Sequence, residues 1–385
     1  MNAGPGVGHD FAESARARRT IVRGAGARLF DSEGRSFVDL GATHGVGNLG
    51  SGDPAVVRAI QEQAAELIHL GTGFAVPART AFLSRLCELT PRPLDRVFLS
   101  NSGTEAVEAA VKIARSATGR PKIVAMMRGF HGRTLGALSA TWRREFRAPF
   151  EPLVPDFLHI PFNDPQALVT AVDERTALIL LEPVQGEGGV HVATGEFLAA
   201  ARAAADRSGA LLAFDEVQTG IGRTGRLFAL EHWGIVPDLL LLAKSLAGGV
   251  PIGATITSVT VESRFRGSHH STFGGNPLAC AAGRAALDRV VRDRLPERAD
   301  RLGRYAIERL RHLPPERVRE VRGLGLMIGI ELRDRVAPVL ERLEARGFLA
   351  LPAGSTVLRL LPPLVIEEDD WRAGLEAIEE ELGRG

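Results

Sequence analysis

The chain has 385 residues, of which 45% are hydrophobic and 24% are charged, and its formal net charge is +1 at pH 7. This length and composition predict a globular protein with one large and one smaller domain, without a general attraction to nucleic acid or membranes. We find no signal peptide, no run of about 18 apolar residues, no disulfide framework and no metal-ligand spacing, which predicts a cytoplasmic protein without a metal site.

The first 46 residues are predicted to form an N-terminal arm and part of the small domain. Residues 1–20 are polar and rich in Gly, so we expect a loose arm there. A small hairpin is predicted next, with strands at residues 27–30 and 36–40 on either side of a turn.

Residues 47–275 are predicted to form a large domain built on a mainly parallel sheet. Short, nearly continuous apolar runs alternate with helical patterns, which is typical of parallel strands that helices cover on both faces. Helices are predicted at residues 104–116 and 196–208. The predicted strands lie at residues 97–99, 123–127, 177–181, 211–214 and 239–242.

Residues 276–385 are predicted to form a small α+β domain together with the N-terminal segment. Two Arg-rich helices come first, and residues 321–332, 348–351 and 357–361 predict a small sheet. The last helix is indicated by apolar residues at helical spacing, namely Trp371, Leu375, Ile378 and Leu382.

Lys244 follows a predicted buried strand and is a candidate nucleophile. Lys and Arg together number 47, yet Lys occurs only at positions 112, 122 and 244. A guanidinium stays protonated, whereas an ammonium can lose its proton and form a Schiff base. Position alone leaves a covalent role and an incidental loop lysine equally open, so the other strand ends must decide between them.

The ligands of a parallel α/β sheet bind beyond the carboxyl ends of its strands, where further candidates lie. After the first strand, Gly103 and Thr104 open a helix and offer N–H groups to a phosphate, although a capping box from Ser102 to Glu105 explains the same residues. After the second strand, Phe130 can stack on a flat ring; a core Phe is the alternative.

Three more strand-end residues are candidates. The guanidinium of Arg133 can bind a carboxylate through two parallel hydrogen bonds; an ordinary surface Arg is the alternative. Glu187 can pair with a substrate-binding Arg, or it lies in a solvated loop. Asp215 is a carboxylate at the end of a buried strand and needs a partner, either a protonated pyridine nitrogen or the following turn.

Together the strand ends supply a phosphate seat, a ring stacker, a carboxylate for a pyridinium and an amine. Each is weak evidence by itself, but the four are the requirements of one cofactor, pyridoxal phosphate. Their coincidence favours that cofactor over four unrelated explanations.

Six motifs resemble those of the class III pyridoxal-phosphate aminotransferases of fold type I, the acetylornithine and ornithine type. They are NSGTEA, GFHGRT, EPVQGEGG, DEVQTG, AKSLAGGVPIGA and STFGGNP. The resemblance extends from about residue 29 to the C-terminus. It implies an α/β fold with a mainly parallel seven-stranded sheet in the large domain, a small α+β domain, and a homodimer with shared active sites.

The resemblance also implies a role for each matching residue. Lys244 would bind the cofactor covalently and move a proton, and Asp215 would pair with the pyridine nitrogen. The other cofactor-binding residues would be Gly103, Thr104, Phe130, Gln218 and, from the neighbouring subunit, Thr272. The substrate-binding residues would be Arg133, Ser271, Glu187, Arg359 and His44.

Two of these residues have a more specific expectation. Arg359 would alternate between Glu187 and the carboxylate of 2-oxoglutarate. His44 stands where some relatives place a Tyr that contacts the carboxylate of the amino donor, and Gly50-Ser51 replaces a frequent Gly-His pair. The chain therefore departs from the family pattern on the donor side.

Within the family, residues 125–130, 139–142, 351–354 and 361–366 resemble the branch that acts in carrier-protein lysine biosynthesis. That likeness implies transfer of the ω-amino group between LysW-γ-L-lysine and 2-oxoglutarate, giving LysW-γ-aminoadipate semialdehyde and glutamate. The alternative is an N2-acetylornithine 5-aminotransferase of arginine biosynthesis, or a dual-function enzyme. A glutamate-semialdehyde-type aminomutase and a non-enzymatic cofactor-binding regulator also stay open.

A carrier-bound substrate requires a docking rim on the enzyme. Several Arg residues are candidates for steering an acidic carrier protein, and ordinary solvated Arg is the alternative explanation. These residues are Arg143, Arg144, Arg147, Arg264 and Arg266.

Overall fold

The computed structural model describes residues 19–71 and 73–383. The predicted N-terminal arm therefore lies almost entirely outside the described residues. Within the described part, none of the helices has both the length and the apolar character needed to cross a membrane.

The strands of the described chain are short and distributed along its whole length. In chain order they are β1 (Ile21–Ala25), β2 (Arg28–Asp31), β3 (Ser36–Asp39), β4 (Arg96–Ser100), β5 (Lys122–Met126), β6 (Phe157–Ile160), β7 (Thr176–Leu181), β8 (Val184–Gln185), β9 (His191–Val192), β10 (Leu211–Asp215), β11 (Leu239–Leu242), β12 (Gly253–Thr257), β13 (Val318–Leu324), β14 (Met327–Leu332), β15 (Phe348–Leu349), β16 (Leu351–Ala353) and β17 (Val357–Leu360).

The α-helices alternate with these strands through the central part of the chain. In chain order they are α1 (Ala42–Gly45), α2 (Pro54–Glu66), α3 (Pro77–Leu89), α4 (Gly103–Thr118), α5 (Leu135–Ala140), α6 (Arg144–Arg147), α7 (Pro165–Ala171), α8 (Gly195–Ser208), α9 (Val259–Glu262), α10 (Pro277–Arg292), α11 (Leu295–Leu310), α12 (Ala337–Ala345) and α13 (Glu368–Gly383).

A seven-stranded sheet forms the centre, in the order β4-β12-β11-β10-β7-β5-β6. Only β12 runs antiparallel to its neighbours β11 and β4, which confirms the predicted mainly parallel seven-stranded sheet. The apolar runs did not predict β6 and β12. Strand β6 pairs on one side only, and β12 contains two Thr and a Gly, so neither strand has the continuous apolar pattern of a central parallel strand.

Helices cover both faces of this sheet because successive strand residues point to opposite faces. Leu241 of β11 packs in a cluster with Ala106 and Ala110 of α4. Its neighbour Leu240 packs in the other cluster, which includes Phe197 of α8. All five residues are fully buried. The small side chains along α4 allow that helix to approach the strands closely.

Two four-stranded sheets flank the central one, in the orders β1-β2-β3-β15 and β13-β14-β17-β16. The parallel pairing of β15 with β3 joins the N-terminal strands to the C-terminal part of the chain. The predicted strand region 321–332 is two antiparallel strands that turn at Gly325, which has a φ of 53°. The domain boundaries after residues 46 and 275 stay predictions.

Arg223 joins the central sheet to the sheet that carries β17. Its side chain is fully buried, and its Nη1 donates to the carbonyls of Leu326 and Pro362 at 2.8 and 2.6 Å. Its Nη2 donates to Asn48 Oδ1 at 2.6 Å. Burial lowers the pKa of Arg223 to about 9. These bonds fix the approach of β17, and with it Arg359, to the ends of the central strands.

Candidate active site

A cavity of about 280 Å³ lies at the carboxyl ends of the central strands. Residues that follow β4, β5, β7, β10 and β11 converge on it, as expected for a parallel α/β sheet. Its lining residues are Ser102, Gly103, Thr104, Phe130, His131, Gly132, Arg133, Glu182, Glu187, Asp215, Val217, Gln218 and Lys244. The structure thus brings most of the sequence-predicted site residues together.

Lys244 lies two residues after the end of β11, has a φ of 41° and opens a single 3-10 turn. Burial lowers the pKa of its ammonium, and the carboxylates of Glu187 and Asp215 oppose this without overcoming it. A lowered pKa increases the neutral amine fraction, which is the nucleophilic and proton-accepting form.

Asp215 is the last residue of β10 and is 4% exposed. Its Oδ2 lies 2.8 Å from His131 Nδ1, and its Oδ1 accepts the N–H of Val217 at 3.1 Å. Burial opposes the charged form of His131, but the hydrogen bond to Asp215 and the negative charges of Asp215 and Glu182 together outweigh it and raise the pKa of this imidazole. No role was predicted for His131 from the sequence, although it follows Phe130 directly in the GFHGRT motif.

Glu182 is a second cavity residue without a role predicted from the sequence. Its Oε1 accepts the N–H of Phe130 at 2.9 Å, and its Oε2 accepts the N–H of Gly186 at 3.0 Å. One buried carboxylate therefore fixes both the loop of Phe130 and the loop of Glu187. Burial raises the pKa of Glu182 to about 7, although the two N–H donors favour its charged form.

The N-terminus of α4 points at the cavity. Ser102 caps the helix by accepting the N–H of Glu105 at 3.3 Å. The Glu105 carboxylate reaches back to the N–H of Asn101 at 2.9 Å, one residue before the position expected in a capping box. The N–H groups of Gly103 and Thr104 remain at the positive end of a 16-residue helix, which suits an anion.

Phe130 and Arg133 lie on one wall of the cavity. The Phe130 ring packs edge-on against Phe146, with centroids 6.1 Å apart. The guanidinium of Arg133 is exposed and lies 4.0 Å from the Phe146 centroid and 5.6 Å from the Phe130 centroid. Arg133 is thus held by aromatic faces, and its donors are available to a substrate carboxylate.

Arg359 is fully buried on β17 and forms an ion pair with Glu187, with Nη1 2.6 Å from Oε1. Gln218 Oε1 lies 3.4 Å from the same Nη1, and His44 Nδ1 lies 3.2 Å from Nη2. Burial alone would raise the pKa of Glu187. The nearby His44 imidazole, whose Nδ1 lies 3.6 Å from Oε1, and the hydrogen-bonded Arg359 guanidinium together outweigh burial and hold that pKa well below its usual range.

Ser271 and Thr272 do not line this cavity in the single chain. They line a neighbouring cavity of about 450 Å³ together with residues of α4, including Glu105 and Lys112. Ser271 Oγ accepts the N–H of Gly274 at 2.9 Å, and Thr272 is exposed. The geometry within one chain therefore brings neither residue to Lys244.

The chain matches the family model described as aminotransferase class-III over residues 11–382. It is 48% identical to the acetylornithine aminotransferase of Methanopyrus kandleri, over 94% of each chain. It is 46% identical to the [LysW]-aminoadipate semialdehyde transaminase of Deinococcus radiodurans, over 94% of this chain and 85% of the relative.

Solved structures agree with these sequence comparisons. The ornithine aminotransferase of Toxoplasma gondii superimposes with a TM-score of 0.92 at 34% identity, covering 97% of this chain and 91% of its own. An amine transaminase from an uncultivated Pseudomonas species, solved in its PLP-bound form, has a TM-score of 0.90 at 29% identity, covering 97% of each chain.

The cavity residues fit pyridoxal phosphate. The α4 N-terminus suits its phosphate, Phe130 its ring, Asp215 its pyridinium and Lys244 its aldehyde carbon. Gly103 lets the start of α4 pack closely against Val217, which also lines the cavity, because a Cβ there would lie 2.8 Å from Val217 Cγ1. The chain belongs to the aminotransferase class-III family and is a pyridoxal-phosphate-dependent aminotransferase.

Proposed function

We propose that this aminotransferase moves the ω-amino group between LysW-γ-L-lysine and 2-oxoglutarate, giving LysW-γ-aminoadipate semialdehyde and glutamate. The observation that carries the proposal is the buried Arg359–Glu187 pair beside the cavity. The site must bind two chemically different substrates in turn. The dicarboxylate 2-oxoglutarate needs a positive charge for its second carboxylate, and that charge must be neutralised when the ω-amine donor is bound. Relatives named for LysW-aminoadipate semialdehyde, at 46% and 45% identity, support the carrier-bound donor.

Lys244 and Asp215 are the proposed catalytic residues. When bound, pyridoxal phosphate supplies an electron sink for cleavage of the bond between the amine-bearing carbon and its hydrogen. The proposed role of Lys244 Nζ is to take that proton, for which its lowered pKa suits it. Asp215 is proposed to keep the pyridine nitrogen protonated, and His131 is proposed to orient the carboxylate through its contact with Oδ2 at 2.8 Å.

The remaining binding roles follow the same geometry. We propose that Gly103 and Thr104 bind the phosphate and that Gln218 contacts the cofactor ring. Arg133 is proposed to hold a donor carboxylate. Arg359 is proposed to leave Glu187 for the second carboxylate of 2-oxoglutarate.

A homodimer with shared active sites is part of the proposal. The exposed apolar side chains Ile68, Phe74 and Phe273 support it, at 58%, 67% and 60% exposure. Arg79 donates to the carbonyls of Phe74 and Gly275. It therefore links the segment that carries Ile68 and Phe74 to the segment that carries Phe273. We propose that a second copy of the chain covers this surface. Thr272 of one subunit would then lie near the cavity of the other subunit, where its proposed contact with the cofactor phosphate requires it.

Docking of an acidic carrier is proposed at the Arg side of the cavity mouth. Arg143 Nη2 lies 3.4 Å from the carbonyl of Glu187, and Arg144 is exposed beside it. We expect Arg144→Glu to raise the KM of the carrier-bound substrate about tenfold at low salt and to leave acetylornithine unaffected. Arg311→Glu, at an exposed Arg on another surface, is the control. Equal KM values in both variants would remove Arg144 from the docking site.

N2-acetylornithine is the second candidate donor, because the relative at 48% identity is named acetylornithine aminotransferase. Both donors present an ω-amine and a masked α-amine, so the cavity alone accommodates either chemistry. We further propose a cytoplasmic location, with which the free thiols of Cys87 and Cys280 are compatible.

Single-turnover absorbance changes of the holoenzyme test the substrate proposal. LysW-γ-L-lysine, acetylornithine and free ornithine are each mixed with the enzyme, and the rate constant and apparent Kd are measured. We expect the carrier-bound donor to react with the highest ratio of rate constant to Kd. A higher ratio for acetylornithine would replace the main proposal with the second candidate, and reaction with none of the three would overturn both.

A further inference from the structure

His44 lies on a strained turn at the rim of the cavity. Residues 42–44 have φ values of 41°, 49° and 59°, all in the left-handed region that residues other than Gly rarely adopt. The Asp39 carboxylate holds the start of the turn by accepting two backbone N–H groups at 2.8 and 2.9 Å. Gln218 Nε2 holds its end by donating to the His44 carbonyl at 3.1 Å. Strain of this kind persists at sites that need one defined geometry.

This turn places one imidazole nitrogen against both members of the Glu187–Arg359 pair. His44 Nδ1 lies 3.2 Å from Arg359 Nη2 and 3.6 Å from Glu187 Oε1. Arginine only donates hydrogen bonds and an ionised carboxylate only accepts them, so Nδ1 cannot serve both partners in one protonation state. The neutral ring with its proton on Nε2 accepts from Arg359 at Nδ1. The neutral Nδ1–H tautomer and the imidazolium can both donate to Glu187, but only the imidazolium also repels Arg359.

We propose that His44 is a specificity-determining residue whose protonation releases Arg359 for a dicarboxylate substrate. This rests on the proposed use of Arg359 for the second carboxylate of 2-oxoglutarate. When Arg359 turns to that carboxylate, Glu187 loses its closest cation and protonated His44 takes its place. Neutral His44 keeps Arg359 on Glu187, the arrangement that serves the ω-amine donor.

The imidazole is accessible enough to exchange protons, since its side chain is 55% exposed. Charged groups near this turn include Glu187 and Arg359, Asp39, which accepts the N–H groups of residues 41 and 42, and Lys244, whose charge acts on Glu187. Burial raises the pKa of Asp39 and lowers the pKa of Lys244. A test must therefore separate the proton of His44 from theirs.

Binding of glutarate, a dicarboxylate without the reactive keto group, provides that test. The holoenzyme is titrated by calorimetry between about pH 6.5 and 8.5 in two buffers of different ionisation enthalpy, which measures proton uptake directly. We expect the wild type to take up a fraction of a proton and to bind glutarate more tightly at lower pH, at most about tenfold per pH unit. His44→Gln and His44→Asn cannot titrate, and we expect both to lose the uptake and the pH dependence.

His44→Asn keeps a residue type that tolerates the left-handed turn, so loss of fold does not confound the result. Equal proton uptake in the wild type and both variants would overturn the proposal, because another group would then supply the proton. Weaker binding of the amino donor with unchanged glutarate binding would also overturn it, since His44 would then serve the donor.

Arg359→Gln distinguishes failure of this inference from failure of the proposed function. If glutarate binds equally well to Arg359→Gln and wild type, the proposed use of Arg359 is wrong and the role of His44 falls with it. If Arg359→Gln weakens binding more than tenfold while the His44 variants match the wild type, only the role of His44 is wrong.

Discussion

Replacing Glu187 with Gln should make 2-oxoglutarate bind more tightly. Arg359 is fully buried and its Nη1 lies 2.6 Å from Glu187 Oε1, so a dicarboxylate must first break this pair. Losing one partner of a buried pair costs about 3–5 kcal/mol. The Glu187 side chain is 29% exposed, and Gln keeps a neutral acceptor for Arg359. We therefore expect the variant to gain only roughly 1–2 kcal/mol in the binding free energy of 2-oxoglutarate. That corresponds to a KM for 2-oxoglutarate about 5–30-fold lower.

The assay is steady-state kinetics with each substrate varied in turn. We expect the KM of the amino donor to rise rather than fall, because the variant no longer neutralises Arg359 while the donor is bound. Glu145→Gln is the matched control, since Glu145 is 65% exposed and pairs only loosely with Arg143 at 3.8 Å. An unchanged or higher KM for 2-oxoglutarate in a folded Glu187→Gln enzyme would refute the reasoning.

Three further predictions address the cofactor contact, the buried acid and the packing. Asp215→Asn removes the charge bonded to His131 at 2.8 Å, and we expect cofactor affinity to fall roughly 10–100-fold in a fluorescence titration; an unchanged Kd would contradict this. The pKa of Glu182 is raised to about 7, so its proton stabilises the fold below that pH, and the wild type should lose stability relative to Glu182→Gln as pH rises from about 5 to 7, by at most about 3 kcal/mol. Denaturant unfolding at several pH values measures this, and a pH-independent difference would count against it. Gly303→Ala would place a Cβ 1.9 Å from the Gly325 carbonyl oxygen, so thermal unfolding should show a loss of about 1–3 kcal/mol, and wild-type stability would refute the close contact.

The sequence predicted the centre of the fold because its strands carry a pattern that local residues determine. Strand β11 is four consecutive Leu residues, all buried, and β7 is buried at each of its six positions. Their ends necessarily meet at one edge of a parallel sheet, which is why Asp215 and Lys244 could be predicted to lie together.

The partners of those residues could not be predicted in the same way. His131 meets Asp215 across 84 residues, and Glu182 accepts the N–H of Phe130 across 52 residues. Every residue except Pro has a backbone N–H, so the sequence does not show which N–H a carboxylate will bind. A Glu that holds two loops therefore cannot be distinguished in the sequence from a solvent-exposed Glu in a loop. The strained turn at His44 could not be predicted either, because the residue types Ala, Thr and His do not indicate a positive φ.

Covalent attachment of the cofactor identifies the lysine that forms its Schiff base, because the chain has only three Lys residues. Lys112 Nζ lies 3.2 Å from His269 Nδ1, and Lys122 Nζ forms an ion pair with Asp173 at 2.8 Å, so both are already engaged. The holoenzyme is reduced with borohydride, digested and mapped by mass spectrometry. We expect the mass of the reduced cofactor on the peptide that contains Lys244. That mass on the peptide of Lys112 or Lys122, or undiminished transamination by Lys244→Ala, would contradict it.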